Sequence, residues 1–132
     1  MATLAADRKL PAPTIDPTNK PFWDGAAAGV LLIGLCKDTG RHFFYPREVS
    51  PFTLSPNVEL VPAQGAATIY SFSVVRGKVP YAIAYVQLTE GPRIMTNIVD
   101  CDLDELRIGQ SVRLVWKPTE EGAPPVPMFT RS

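Results

Sequence analysis

Few residues in this sequence have the chemistry of a metal ligand or a catalytic group. His42 is the single histidine, and Cys36 and Cys101 are the two cysteines, among 132 residues. One imidazole rules out a metal site built from several histidines, and a histidine-dependent triad would need a nucleophile beside His42. Because His42 adjoins the aromatic stretch FFYP, the sequence favours a packing or surface role for it.

The densest group of carboxylates comprises Asp100, Asp102, Asp104 and Glu105. Its spacing does not fit a calcium-binding loop, which needs a central glycine and a terminal bidentate glutamate. Carboxylates at the start of a helical turn explain the group better. Cys101 lies among them, and negative neighbours raise a thiol pKa and weaken the nucleophile. With no Gly-rich phosphate loop either, the sequence predicts no catalytic residues and a protein that is not itself an enzyme.

Charge and hydropathy narrow the class of protein further. Thirteen basic residues balance thirteen acidic ones, whereas nucleic-acid binders normally carry a basic face. The longest apolar run, AAAGVLLIGLC, is about half of the ~20 residues that span a bilayer. The start, MATLAADRKL, lacks the apolar core and cleavage site of a signal peptide. We therefore expect a soluble, cytoplasmic protein with free thiols, no nucleic-acid partner and no membrane contact.

Proline and glycine divide the chain into four segments. Residues 1–17 predict a flexible leader that is ordered only when something binds it. Residues 18–29 predict a short helix, capped by Thr18 or Asn19, with Pro21 in its first turn and Gly29 as its stop. Residues 30–62 predict a hairpin, with strands on either side of the turn KDTG, that is too small to fold without a metal or a surface.

Residues 63–132 have the alternation of a small β-barrel. TIYSFSVV would place Tyr70, Phe72 and Val74 on one face, and SVRLVWK similarly alternates. Five β segments, with a helical turn between the third and fourth, match an OB-fold, and VPMFTR would be a Pro-flanked edge strand in a Pro-rich tail. The predicted fold is mainly β: a short N-terminal helix, a hairpin and a five-stranded OB-fold barrel.

Several motifs carry a resemblance to a known family. PFWDGAAAGVLLIGLCKDTGRHFFYPREVSPFT, GAATIYSFSVV and NIVDCD followed by RIGQSV resemble the domain-of-unknown-function-thirty-five family over residues 17–129. Members of that family join a rubredoxin-like zinc ribbon to a C-terminal OB-fold and are associated with acyl-CoA. The resemblance therefore identifies the hairpin at 30–62 as a zinc ribbon.

The zinc ligands of this ribbon are degenerate. The family uses two Cys-x-x-Cys pairs, which by the resemblance fall on Cys36 and Thr39 and on Ser50 and Thr53. Since hydroxyls are poor zinc ligands, we expect the zinc to be lost and no other cofactor to be held. Something must replace the stabilisation that a metal gives, and we expect HFFYP and Phe52 to pack the ribbon onto the barrel or onto a partner.

The resemblance implies a non-catalytic accessory subunit of a thiolase-like, lipid-transfer-protein-like or enoyl-CoA hydratase-like enzyme, in a hetero-oligomer. Apolar segments with little reason to be ordered alone mark the expected partner interface: Phe22, Trp23, Phe43, Phe44, Phe52 and Phe129. One alternative is a stand-alone module that binds CoA esters, with Lys37, Arg41 and Arg47 on the CoA phosphates.

A binder of single-stranded nucleic acid is a further alternative. Stacking aromatic residues would be supplied by Tyr70, Phe72, Tyr81 and Tyr85. Few cations accompany them, and packing in a small barrel explains these aromatic residues at least as well. This class is therefore placed behind the two acyl-CoA alternatives.

Overall fold

A computed structural model describes residues 2–5 and 8–132. These residues form a short helix, a three-stranded sheet and a five-stranded barrel. The elements are α1 Lys20–Ala27, β1 Leu32–Cys36, β2 His42–Phe43, β3 Val58–Pro62, β4 Ala66–Val75, β5 Tyr81–Leu88, β6 Arg93–Ile98, a 3-10 turn Leu103–Glu105, β7 Ser111–Lys117 and β8 Val126–Arg131. The prediction of a mainly β chain ending in a five-stranded barrel is confirmed.

The barrel closes in the order β4-β5-β6-β8-β7. The last strand, β8, lies between β6 and β7, where Phe129 is paired with Ile98 on one side and with Leu114 on the other. The prediction of an edge strand at VPMFTR is therefore wrong. The Phe129 side chain is completely buried in the barrel core, and burying it requires β8 to have a neighbour on both sides.

A β-bulge in β4 changes which side chains face the barrel interior. The pairing with β5 shifts between Ile69 and Ser71. Ile69 is buried, Tyr70 points outward with 49% of its surface exposed, and Phe72 and Val74 pack against the core. The predicted common face of Tyr70, Phe72 and Val74 is wrong because the extra residue of a bulge reverses the alternation.

The ribbon contains a third strand that the sequence pattern did not indicate. β3, from the Pro-rich segment, pairs with β1 over five residues, on the side of β1 opposite β2. Leu31, Ile33 and Phe22 belong to the same core cluster as the barrel residues. The ribbon is therefore packed onto the barrel, which supplies the surface that a small sheet needs.

The helix is shorter than the predicted segment 18–29. Asn19 occupies the N-cap position, but its side chain does not cap, because Asn19 Oδ1 accepts a hydrogen bond from the Asp16 N–H at 2.8 Å. Pro21 lies in the first turn, as predicted, and Gly29 follows the helix with φ +78°. None of the helices formed by the described residues has the length and apolar character needed to cross a membrane.

The N-terminal segment lies against the barrel. The N–H of Leu103 donates to the Thr3 carbonyl at 2.7 Å, and the N–H of Ala5 donates to the Cys101 carbonyl at 3.0 Å. Thr3 and Ala5 thus form backbone hydrogen bonds with the chain itself, and the need of the leader for a partner stays a prediction. Residues 1, 6 and 7 of that leader lie outside the described residues.

Candidate functional site

Two loops of the ribbon, residues 36–41 and 50–55, share one backbone geometry. In each loop the fifth residue has a positive φ, +74° at Gly40 and +62° at Leu54. Its N–H donates to the carbonyl of the first residue, at 2.8 Å to Cys36 and 2.9 Å to Ser50. The N–H of the first residue donates to the carbonyl of the sixth, at 2.8 Å in both loops. The two loops are thus a matched pair of turns.

The side chain that begins each loop accepts hydrogen bonds from the backbone of that loop. Ser50 Oγ accepts the N–H groups of Phe52 and Thr53, at 3.1 and 3.2 Å. The Cys36 sulfur accepts the two corresponding N–H groups of the first loop, two and three residues further along. Each loop therefore aims two N–H donors at the position where the family has its first cysteine.

The two loops meet at Cys36. The hydroxyls of Ser50 and Thr39 stabilise its thiolate and lower the Cys36 pKa to about 7, although burial opposes this shift. Cys36 and Ser50 are both completely buried. Thr53 instead donates to Asp38 Oδ2 at 3.3 Å, which links the second loop to the first. Ser50 and Thr39 therefore both lie beside Cys36, while Thr53 is linked to the first loop through Asp38.

These residues do not fit a zinc ion. One thiol and three hydroxyls replace the four thiolates, and hydroxyls are not among the usual zinc ligands. Among residues 2–5 and 8–132, no three His, Cys, Asp or Glu side chains are grouped closely enough to hold a metal ion. The nearby carboxylate, Asp38, accepts hydrogen bonds from Thr53 and, at 2.8 Å, from Asn57.

The matched loops differ in how well their residues suit a positive φ. Leu54 adopts this conformation at a cost of about 1–2 kcal/mol, whereas Gly40 adopts it freely. We expect Leu54→Gly to raise the free energy of unfolding by about 0.5–1 kcal/mol, measured by denaturant titration. Gly40→Ala, with open space around its Cβ, should lower it by about 1 kcal/mol. A loss of stability in Leu54→Gly would show that the leucine side chain outweighs the backbone strain.

An arginine-lined groove separates the ribbon from the turn between β5 and β6. It has a volume of about 540 Å³ and includes Arg41, Arg47 and Arg93 in its lining. Arg41 stacks on the Phe52 ring, with its guanidinium carbon 3.8 Å from the ring centroid, and Arg93 stacks on Tyr70 at the same distance. Within the part of the chain that the structure describes, none of the three arginines forms a salt bridge.

Only part of the predicted phosphate-binding set lines this groove. Arg41 and Arg47 line it together, as the CoA hypothesis needs. Lys37 does not line it, because Lys37 Nζ lies 3.3 Å from Glu59 Oε2, beside the β1–β3 pair. Arg93 lines the groove with Arg41 and Arg47 instead. Its position there depends on the tertiary fold, which brings β6 close to the ribbon. The sequence signal for Arg93 was a turn, TEGP, immediately before a strand.

A second feature is an apolar patch on the outside of β4, β5 and β6, here called the outer β-face. Four exposed side chains form it: Tyr70, Ile83, Tyr85 and Met95, which expose 49, 39, 47 and 55% of their surfaces. Tyr85 is directly opposite Met95 in the sheet, so their side chains are cross-strand neighbours. Arginines flank the patch on both sides, since Arg93 stacks on Tyr70 and Arg8 stacks on Tyr81, 4.2 Å from its centroid.

Burial corrects half of the predicted partner interface. Phe22, Phe43 and Phe129 are 9, 5 and 0% exposed, so they stabilise the chain itself and present no surface to a partner. Phe43 packs edge-on against Phe52, and Phe22 packs edge-on against Phe44. Trp23, Phe44 and Phe52 are only partly buried, and their role at an interface stays a prediction.

The carboxylates near Cys101 have structural partners. Asp100 lies 2.7 Å from Lys117, Asp104 lies 2.8 Å from Arg76, and Glu105 lies 3.0 Å from Arg131. Asp102 caps the 3-10 turn by accepting the Asp104 N–H at 3.0 Å. The Cys101 pKa is raised, as expected, but burial contributes more to this shift than the neighbouring carboxylates do.

Comparison with known proteins identifies the family to which this chain belongs. A family described as "ChsH2, C-terminal OB-fold domain" matches residues 60–117, and "ChsH2, rubredoxin-like zinc ribbon domain" matches residues 23–49. A "DUF35 domain-containing scaffold protein" of Methanocaldococcus jannaschii is 34% identical over 108 residues, which are 75% of this chain and 77% of that protein. The chain belongs to the DUF35 family. The resemblance noted in the sequence is therefore confirmed.

Other DUF35 relatives extend the comparison. The solved structure "Ltp2-ChsH2(DUF35) aldolase" is 29% identical, with a TM-score of 0.80 over 90% of this chain and 98% of that one. A DUF35 protein of unknown function from Sulfolobus solfataricus has the same fold, with a TM-score of 0.66 at 13% identity over 88% of this chain and 86% of that one. A probable enoyl-CoA hydratase alpha subunit of Thermomonospora curvata is 33% identical over 80% of this chain, which spans 35% of that protein.

Proposed function

We propose that this DUF35 protein is a non-catalytic accessory subunit that binds and supports an enzyme acting on acyl-CoA, of the thiolase-like or hydratase-like kind. The observation that carries the proposal is the similarity to the Ltp2-ChsH2(DUF35) aldolase chain, 98% of which is covered at a TM-score of 0.80. Relatives named as scaffold proteins support the accessory role. The relative named as a probable enoyl-CoA hydratase subunit supports an acyl-CoA pathway.

The outer β-face is the surface on which the enzyme would be bound. Its four large apolar side chains are each at least 39% exposed, and contiguous exposed patches of this kind commonly mark interfaces. Arg93 and Arg8 at its margins lack carboxylate partners among the described residues. A partner with an apolar centre and acidic residues around it would complement both features.

Co-purification tests the proposal. The tagged protein should retain a thiolase-like or hydratase-like enzyme from extracts of its source cell, in fixed stoichiometry by mass spectrometry. The double variant Tyr85→Asp/Met95→Asp should lose at least nine-tenths of the retained enzyme, because it puts two charges in the centre of the patch. Leu54→Asp, which places a charge at an exposed apolar residue outside the outer β-face, should retain it. A folded wild-type protein that retains no acyl-CoA enzyme would refute the subunit assignment.

A second candidate function is the binding of a CoA ester in the arginine-lined groove. The supporting observation is that Arg41, Arg47 and Arg93 line the groove and form no salt bridge among the described residues, although Glu90 lines it as well. Arginine guanidinium groups suit the phosphates of CoA because they bind phosphate oxygens in a bidentate manner.

Calorimetry with acetyl-CoA and the isolated protein separates this candidate from the first. If the groove binds the ligand, Arg41→Gln/Arg93→Gln should weaken binding by at least tenfold, because two charge-assisted contacts are removed. Lys37→Gln is the matched control, since Lys37 is paired with Glu59 outside the groove. Equal affinities of the two variants, or no binding by the wild type, would exclude the groove as a CoA site.

A further inference from the structure

We infer that the ribbon of this protein is a metal-free scaffold that has kept the backbone geometry of a four-thiolate zinc site. Cysteines at three positions, introduced by Thr39→Cys, Ser50→Cys and Thr53→Cys, would restore tetrahedral metal binding beside Cys36. The matching family is described as a zinc ribbon, whereas we infer that this ribbon holds no zinc. It does not depend on the proposed accessory function.

The retained geometry is visible in the backbone donors. Loops 36–41 and 50–55 repeat the same i+4 to i and i to i+5 hydrogen bonds, and both place a positive φ at the fifth residue. Two N–H groups of the second loop point at Ser50 Oγ, at 3.1 and 3.2 Å. The same pair of donors points at the Cys36 sulfur in the first loop. Donors of this kind stabilise a thiolate.

The remaining pair of positions is also matched. Thr39 and Thr53 are the fourth residues of their loops, and the Oγ1 atom of each accepts the N–H two residues further along, at 3.2 and 3.3 Å. Both threonines are exposed, whereas Cys36 and Ser50 are completely buried. The two loops thus offer one buried and one exposed position each, four positions in all, the number of ligands in a structural zinc site.

The structure also accounts for folding without the metal. The Ser50 hydroxyl lies close enough to the Cys36 thiol to lower its pKa, so the two buried inner positions of the loops are neighbours. Asp38 links the loops a second time, through Thr53 and Asn57. Packing of Leu31 and Ile33 into the barrel core anchors the sheet that carries the first loop. These contacts replace the link between the loops that zinc provides in a small metal-bound domain.

The test uses the full chain with Cys101→Ser, so that Cys36 is the only natural thiol. The triple variant Thr39→Cys/Ser50→Cys/Thr53→Cys in this background is refolded with Co²⁺, whose absorption reports tetrahedral thiolate coordination. We expect one Co²⁺ per chain with an intense thiolate-to-cobalt charge-transfer band, displaced by one equivalent of Zn²⁺. The double variant Thr39→Cys/Thr53→Cys, which lacks the inner ligand at 50, should bind Co²⁺ at least tenfold more weakly.

The parent chain tests the metal-free half of the inference. The Cys101→Ser protein should contain no stoichiometric zinc by elemental analysis, and a strong chelator should not change its melting temperature or near-ultraviolet circular dichroism. Bound zinc in the parent chain, or unfolding by the chelator, would overturn the inference. So would a triple variant that takes up no Co²⁺, whether it is folded or fails to fold when Co²⁺ is present.

Discussion

Replacing Phe129 by alanine is expected to lower the free energy of unfolding by about 3–5 kcal/mol, which would leave little of the barrel stable at 37 °C. The side chain has no exposed surface and lies where β8 joins β6 to β7. Its removal leaves a cavity that rigid strands on both sides cannot collapse to fill. Urea titration, followed by circular dichroism, measures the loss.

Met95→Ala is the matched control for this experiment. Met95 lies on β6, the strand beside β8, but it is 55% exposed on the outer β-face. Its truncation should therefore change the free energy of unfolding by no more than about 0.5 kcal/mol. Similar losses for Phe129→Ala and Met95→Ala would mean that β8 does not contribute to the barrel core.

Gly34→Ala is expected to have the second largest effect, a loss of about 1–3 kcal/mol. A Cβ atom at position 34 would lie 2.3 Å from two ring carbons of Phe43, directly across the β1–β2 pair. Phe43 is only 5% exposed and packs edge-on against Phe52, so moving its ring would disturb this contact. Arg41 stacks on Phe52 and would be displaced with it. Thermal unfolding, together with the near-ultraviolet signal of these rings, reports the change.

Gly77→Ala provides the control for backbone effects of a glycine substitution. An added Cβ at Gly77 meets no atom within 4 Å, so its effect on the free energy of unfolding should be near zero or slightly stabilising. In the double variant Gly34→Ala/Phe43→Leu, the smaller side chain should recover part of the stability lost. Equal losses in the two glycine variants would remove the Phe43 ring as the cause.

Several strands of the barrel could be predicted because each buries one face and therefore alternates in sequence. β5 could be predicted from its apolar run instead, since its exposed Ile83 and Tyr85 are as apolar as its buried Ala82 and Ala84. The bulge in β4 was missed because the alternation of Tyr70, Phe72 and Val74 was extended without a break, whereas the pairing with β5 shifts between Ile69 and Ser71. β3 escaped prediction because the prolines before it, and Pro62 at its end, indicate an irregular segment.

The candidate site was predictable only in part. Arg41 and Arg47 are close in sequence, so their meeting in the groove follows from local structure. Arg93 is added by the packing of the β5–β6 turn against the ribbon, which no local pattern encodes. Phe129 was misassigned to a partner interface because it lies in a Pro-flanked segment that was taken for an edge strand. The local sequence does not distinguish an aromatic side chain covered by a partner from one covered by the barrel.

The position of β8 between β6 and β7 has a consequence during protein synthesis. Both of its neighbours precede it in the chain, so the barrel cannot close until residue 131 has left the ribosome. Until then β6 and β7 each present an unpaired edge, which is open to pairing with other nascent chains. A chaperone, or the proposed enzyme partner, would raise the yield of folded protein most in this interval. Co-expression with that partner should therefore increase the amount of soluble folded protein.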